Sequence, residues 1–115
     1  MRKVGKEYVR KCYNRFRERY FPERELPDWK DLEFEFVPAG SAGSEWGEVD
    51  FEEDSPLQVH SLRLDETLQI WSGTLKYVLL HEMVHMVDKS KSAHGVQFYA
   101  EFMRALSLGA IRECF

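Results

Sequence analysis

His81-Glu82-Met83-Val84-His85 sets two imidazoles four residues apart with a carboxylate beside the first, and His94-Gly95 follows nine residues after His85. On an α-helix, residues i and i+4 share a face, so His81 and His85 would project together with Glu82 next to them. Neutral imidazole suits Zn²⁺, and a catalytic zinc takes three protein ligands and a water whose pKa falls to about 7. His94 is the natural third ligand. Glu101, two turns further on, is the fallback, and Asp88, three residues after His85, is a candidate to orient a ligand. The chemistry implied is metal-assisted peptide hydrolysis. Glu82 would act as general base toward the attacking water and then pass the proton to the leaving amine.

Such residues need a helix to hold them. Thr74-Leu75-Lys76-Tyr77-Val78-Leu79-Leu80 leads into the motif without proline or glycine and is apolar enough for a buried helix, predicted over 73–88 with Ser72 or Thr74 as cap. After a polar break at 88–92, Ser92 would cap a last helix over 93–107. Val96, Tyr99, Phe102, Met103 and Leu106 would form its apolar face, with Gly109 just past its end. At the other end of the chain, Val4, Tyr8, Cys12, Phe16 and Tyr20 recur every four residues, widened by Val9 and Tyr13, which predicts an amphipathic helix. Between the helices, 32–37, 46–51 and 57–64 alternate or read as strands. The Gly/Ser stretch 38–44 would close a hairpin between the first two, and the acidic 52–56 would turn the chain again. Residues 65–71 fit either a loop or a short helical turn. The expectation is a single α+β domain over 1–115, zincin-like, with an N-terminal amphipathic helix, a small antiparallel three-stranded sheet and two helices carrying the metal site.

At 115 residues and 43% hydrophobic content, one folded domain is the natural reading. No apolar stretch is long enough to span a bilayer and the N-terminus lacks the apolar core of a signal peptide, so a cytoplasmic protein without a membrane partner is expected. Cys12 and Cys114 lie at opposite ends, which excludes a disulfide framework or a CxxC zinc module and leaves any metal to the histidines. A net charge of −4 hides an asymmetry: residues 1–19 hold eight basic side chains against Glu7 and Glu18. That basic helix face suits either DNA or RNA phosphates or a solvated counterweight to an acidic body.

Other residues take quieter readings. His60, on the same side of its strand as Leu62 and Leu64, reads as a packed or hydrogen-bonded histidine rather than a fourth ligand. Tyr77 and Tyr99 are potential oxyanion donors whose spacing favours packing, and Trp29, Trp46 and Trp71 read as core.

The two histidine motifs, His81-Glu82-Met83-Val84-His85 and His94-Gly95-Val96-Gln97-Phe98, together resemble the HExxH…HGxxF signature of the SprT-like metallopeptidase domain. Leu62-Arg63-Leu64-Asp65-Glu66-Thr67-Leu68 is similar to the strand and turn such domains place before the motif helix. The resemblance implies a zinc peptidase acting on protein or peptide substrates, with His81, His85 and His94 as ligands and Glu82 as base. In some members the substrates are DNA-associated proteins. The cysteine pairs of the zinc ribbon that many members add are missing here. Two other classes remain open: a metal-dependent endoribonuclease, which the basic first helix would suit, and a non-enzymatic module in which a fourth ligand such as His60 or Glu101 closes a structural zinc site.

Overall fold

The computed structural model describes residues 2–42, 46–52, 58–89 and 94–115. Helix α1 (Lys6–Tyr20) is followed by a 3₁₀ turn (Trp29–Asp31) and strands β1 (Glu33–Val37), β2 (Gly47–Phe51) and β3 (Val59–Asp65). A second 3₁₀ turn (Glu66–Ile70) leads into α2 (Ser72–Asp88), then α3 (Val96–Ser107) and a short α4 (Ala110–Cys114). The architecture is α+β, with the N-terminal helix, the sheet and then the helices in the expected order. The open stretch before the motif helix is the 3₁₀ turn, and α4 is an element that its five residues were too short to announce. Among the described residues no helix is long and apolar enough to cross a membrane.

The sheet is mixed rather than antiparallel. Its order is β1-β3-β2, with β3 parallel to β1 and antiparallel to β2, so the expected β1–β2 hairpin does not form. The connection from Val37 to Gly47 exceeds the roughly two to five residues of a tight hairpin. Its described ends both meet Asp65, at the end of β3. Gly40, in a left-handed conformation (φ 83°), donates its N–H to Asp65 Oδ2 at 2.8 Å, and the Asp65 N–H donates to the Trp46 carbonyl at 2.8 Å. The other carboxylate oxygen of Asp65 accepts the Thr67 N–H at 2.8 Å, starting the 3₁₀ turn. Burial alone would raise the Asp65 pKa, but the backbone donors of Gly40 and Thr67 outweigh it and hold the group below the usual carboxylate range. Residues 43–45 and 53–57, which carry parts of both expected turns, lie outside the described residues.

The helices cover one face of the sheet. Phe34, Val49, Leu62 and Leu64 point into the core, while Arg63 on the opposite face meets Glu35 (3.3 Å), Glu48 (3.5 Å) and Asp50 (2.6 Å). Helix α1 packs as its spacing predicts, burying Val9, Cys12, Tyr13, Phe16 and Tyr20. The Tyr13 hydroxyl donates to the Pro27 carbonyl at 2.7 Å, and the Tyr13 ring lies 5.5 Å from that of Trp29. Ahead of α1, Val4 and Gln69 exchange hydrogen bonds: Val4 N–H to the Gln69 carbonyl (2.8 Å) and Gln69 Nε2 to the Val4 carbonyl (3.0 Å). Trp29 joins the core, but Trp46 and Trp71 are exposed, against expectation. Each lies just outside a regular element, where periodicity carries no information on facing.

Two arginines of α1 close the domain onto α4. Arg15 Nε and Arg19 Nη1 reach the two oxygens of Glu113 at 2.7 and 2.5 Å. The Arg15 hydrogen bond, aided by Tyr20 and Arg19, overcomes burial and brings the Glu113 carboxyl down to about 2. A depressed carboxylate stabilises the fold above its unfolded pKa, and that contribution disappears as the pH falls toward the folded value. Both guanidinium groups are more than half exposed, so solvent screens much of the coupling, and Glu113→Gln should cost on the order of 1 kcal/mol. Urea unfolding of the two proteins should show this gap from neutral pH down to about 4.5 and its closure as the pH approaches 2; a constant gap would show that packing, not charge, is lost.

Candidate metal centre

Helix α2 is enclosed on most sides. Leu75, Leu79, Leu80, Met83, Val84 and Met86 are buried along it, and so are the polar Glu82 and His85. It starts at Ser72 with Trp71 in the capping position. Neither Ser72 nor Thr74 caps it: the Leu75 N–H instead reaches the Trp71 carbonyl at 2.8 Å. The helix ends at Lys89 in a left-handed conformation (φ 63°). Residues 90–93 lie outside the described residues, the expected cap Ser92 among them. Gly95 takes the capping position of α3, and Tyr99 N–H donates to its carbonyl at 3.1 Å.

This arrangement brings His81, His85 and His94 together, with one ligand atom of each within 4.8 Å of the others. The ring centroids form a near-equilateral triangle of 4.9, 5.0 and 4.9 Å. His85 Nε2 and His94 Nε2 stand 3.1 Å apart, close to the separation of about 3.3 Å that two nitrogens of a tetrahedral zinc require. Burial first, and then the neighbouring His81 and His94, push the His85 pKa down, against the pull of Glu82 and Asp88. It is therefore neutral near pH 7, the form that ligates. An all-imidazole donor set of this spacing fits a transition-metal ion, which three histidines do not restrict to zinc.

Glu82 lies beside the triad, its side chain 4% exposed and Oε2 3.2 Å from His81 Nδ1. If Nδ1 donates that hydrogen bond, the lone pair of His81 resides on Nε2, the ligating tautomer. Phe98 supports all three rings at once, with centroid distances of 4.6 Å to His85, 4.6 Å to His94 and 5.1 Å to His81. The histidine motif includes this residue, but nothing in the residue pattern assigns it a role.

Gly47 was also missed. A Cβ there would stand 2.9 Å from Glu82 Cγ, 3.0 Å from Val78 Cγ1 and 3.1 Å from Leu64 Cδ2, so glycine lets β2 lie this close to the Glu82 side chain without a shift. Its place inside an alternating strand was the available signal, because a strand glycine often marks a close approach.

Several expected positions differ. The apolar face assigned to α3 is rotated: Phe98, Phe102 and Ala105 are buried, while Val96, Tyr99 and Met103 are exposed. The helix has two apolar stripes, and the sequence does not say which faces inward. Tyr77 packs between Phe102 and Phe115. Glu101 is taken by Arg24 (2.9 Å) and Arg104 (2.7 Å), and so does not replace His94. Asp88 ends α2, half-buried, and its charge reaches His85. His60 is not on the Leu62/Leu64 side. Asp50 pairs with Ser61 and Phe51 with Val59, so His60 is the extra residue of a β-bulge. Its ring faces Glu52 (2.9 Å) and Glu33 (3.4 Å), and the Glu52 hydrogen bond raises its pKa.

Comparisons with family models, curated proteins and solved structures return no match to this chain. The centre stands on its own geometry.

The Gly47 contact makes a prediction. Gly47→Ala must move Glu82, Val78 or the strand itself, a strain of about 1–3 kcal/mol. Thermal unfolding should shift down, while metal content stays at the parent's value because no ligand is touched. An alanine protein as stable as the parent would mean that β2 does not press on Glu82.

Proposed function

We propose that this chain is a zinc-dependent metallopeptidase in which His81, His85 and His94 hold the metal and Glu82 is the general base. The observation that carries the reading is the convergence of three imidazole donors, two of them on α2, beside a buried carboxylate of that helix. When bound, the metal would polarise the scissile carbonyl and acidify water. Glu82 would take the proton of the attacking water and deliver it to the leaving amine, and its burial keeps that carboxylate out of competition with bulk solvent. Phe98 would hold the imidazoles in register, and Gly47 would let β2 approach. Among the described residues β2 is an edge strand, whose outer backbone groups would take an extended peptide by strand addition.

The resemblance to SprT-like domains agrees with this reading and extends it to DNA-associated protein substrates. For that extension α1 offers the exposed Lys6 and Lys11, whereas Arg10, Arg15, Arg17 and Arg19 already face carboxylates. A structural zinc closed by a fourth protein ligand is the weaker reading, since Glu101 and His60 are engaged elsewhere.

Elemental analysis of the purified protein should find about one zinc per chain, lost or greatly weakened in His94→Ala. Glu82→Gln should keep the metal and lose cleavage of a denatured protein by roughly a hundredfold or more. A glutamine variant that cleaves as fast as its parent sinks the mechanism; RNA cleavage that depends on His81, without proteolysis, would replace it with a nuclease.

A further inference from the structure

Helix α3 has one apolar stripe that the fold uses and one that it leaves in solvent. Phe98, Phe102 and Ala105 are buried, whereas Val96, Tyr99 and Met103 are 87%, 55% and 62% exposed. The exposed three are spaced i, i+3, i+7, so they line one side of the helix over about 10 Å. This stripe begins at the metal centre. Val96 is two residues from His94, and the Tyr99 ring lies 6.3 Å from the His94 ring and 5.5 Å from Phe98, which touches all three imidazoles. Exposed apolar side chains grouped in one place are informative where isolated ones are not. The stripe is as long as about three residues of extended chain, in which alternate side chains point the same way.

We infer that Val96, Tyr99 and Met103 form a subsite for large apolar side chains of a peptide whose scissile bond lies at the histidine triad. The inference deepens the peptidase reading and rests on it. Because Tyr99 adjoins a ligand ring, the side chain it receives belongs to a residue flanking the cleaved bond. The substrates selected are segments that expose aromatic or large aliphatic residues, as unfolded chains do and folded surfaces do not. The Tyr99 ring supplies the wall, and its hydroxyl is not required.

The test uses short fluorescent peptides of Gly and Ser carrying either Phe or Ser at the centre. The zinc-loaded parent should cleave the Phe peptide with a kcat/KM on the order of tenfold higher, next to the Phe. Tyr99→Ser should bring that ratio down to about 2 or less, and Tyr99→Phe should preserve it. Zinc-loaded Glu82→Gln should bind the Phe peptide more tightly by a similar factor in fluorescence anisotropy, a readout that needs no turnover. Equal binding and equal cleavage of both peptides by the parent would overturn the subsite and leave the peptidase standing. A binding preference without cleavage by any zinc-loaded protein would keep the subsite and overturn the peptidase. If Tyr99→Phe lowers the ratio as Tyr99→Ser does, the wall role falls; if it slows both peptides alike, the phenol is required and the claim that its hydroxyl is dispensable falls. A dimer in sedimentation that Val96→Ser dissolves would assign the stripe to a second copy of the chain instead.

Discussion

Burying a helix that carries a carboxylate and an imidazole is the constraint around which this domain is arranged. Glu82 and His85 are 3% and 4% exposed on a helix whose other buried side chains are all apolar. Polar groups removed from water are costly unless something faces them, and here they face one another. His81 meets Glu82, His94 meets His85, and Phe98 closes the apolar side of all three rings. A cation among the imidazoles would complete the same set. The core and the site are therefore one structure, and the glycine of β2 and the aromatic of α3 follow from it.

The position of α2 is set from its first turns rather than by a side-chain cap. Gly73 lies so close to α4 that a Cβ would stand 2.7 Å from the Cys114 carbonyl, and Lys76 Nζ donates to the Glu113 carbonyl at 2.9 Å. A helical glycine costs about 1 kcal/mol relative to alanine, and here close contact is what requires it. Arg15 and Arg19 hold the other side of α4 through the Glu113 carboxylate. Asp65 does the corresponding work at the sheet, joining the Gly40 loop, the start of β2 and the turn into α2. These two carboxylates connect segments remote in sequence, so the register of α2 depends on contacts well away from the histidine triad.

Legibility in the sequence followed the range of the interactions. The amphipathic α1 and the extent of α2 could be read because each depends on neighbours within two turns, and so could the His81/His85 pair. His94 could be proposed because imidazoles are scarce and this one lies nearby, although its approach to His85 depends on the path of residues 86–94. Strand order could not be read: alternation in β1 and β3 says which face is buried, not which strand lies alongside. His60 shows how one added residue defeats parity, since the bulge turns it to the charged face. In α3 two apolar stripes compete, and only the position of Phe98 against the triad decides between them.

That choice also determines where the centre opens. His85 and Glu82 are sealed within the core, whereas His81 and His94 keep partial exposure, so approach is from their side. Glycine at position 47 brings β2 close to Glu82, and the solvent-facing stripe of α3 starts beside His94. Had α3 been rotated so that Val96, Tyr99 and Met103 packed inward, Phe98 would leave the imidazoles and the stripe would leave the rim together. A single rotation about one helix axis thus couples the order of the triad to the character of the surface beside it.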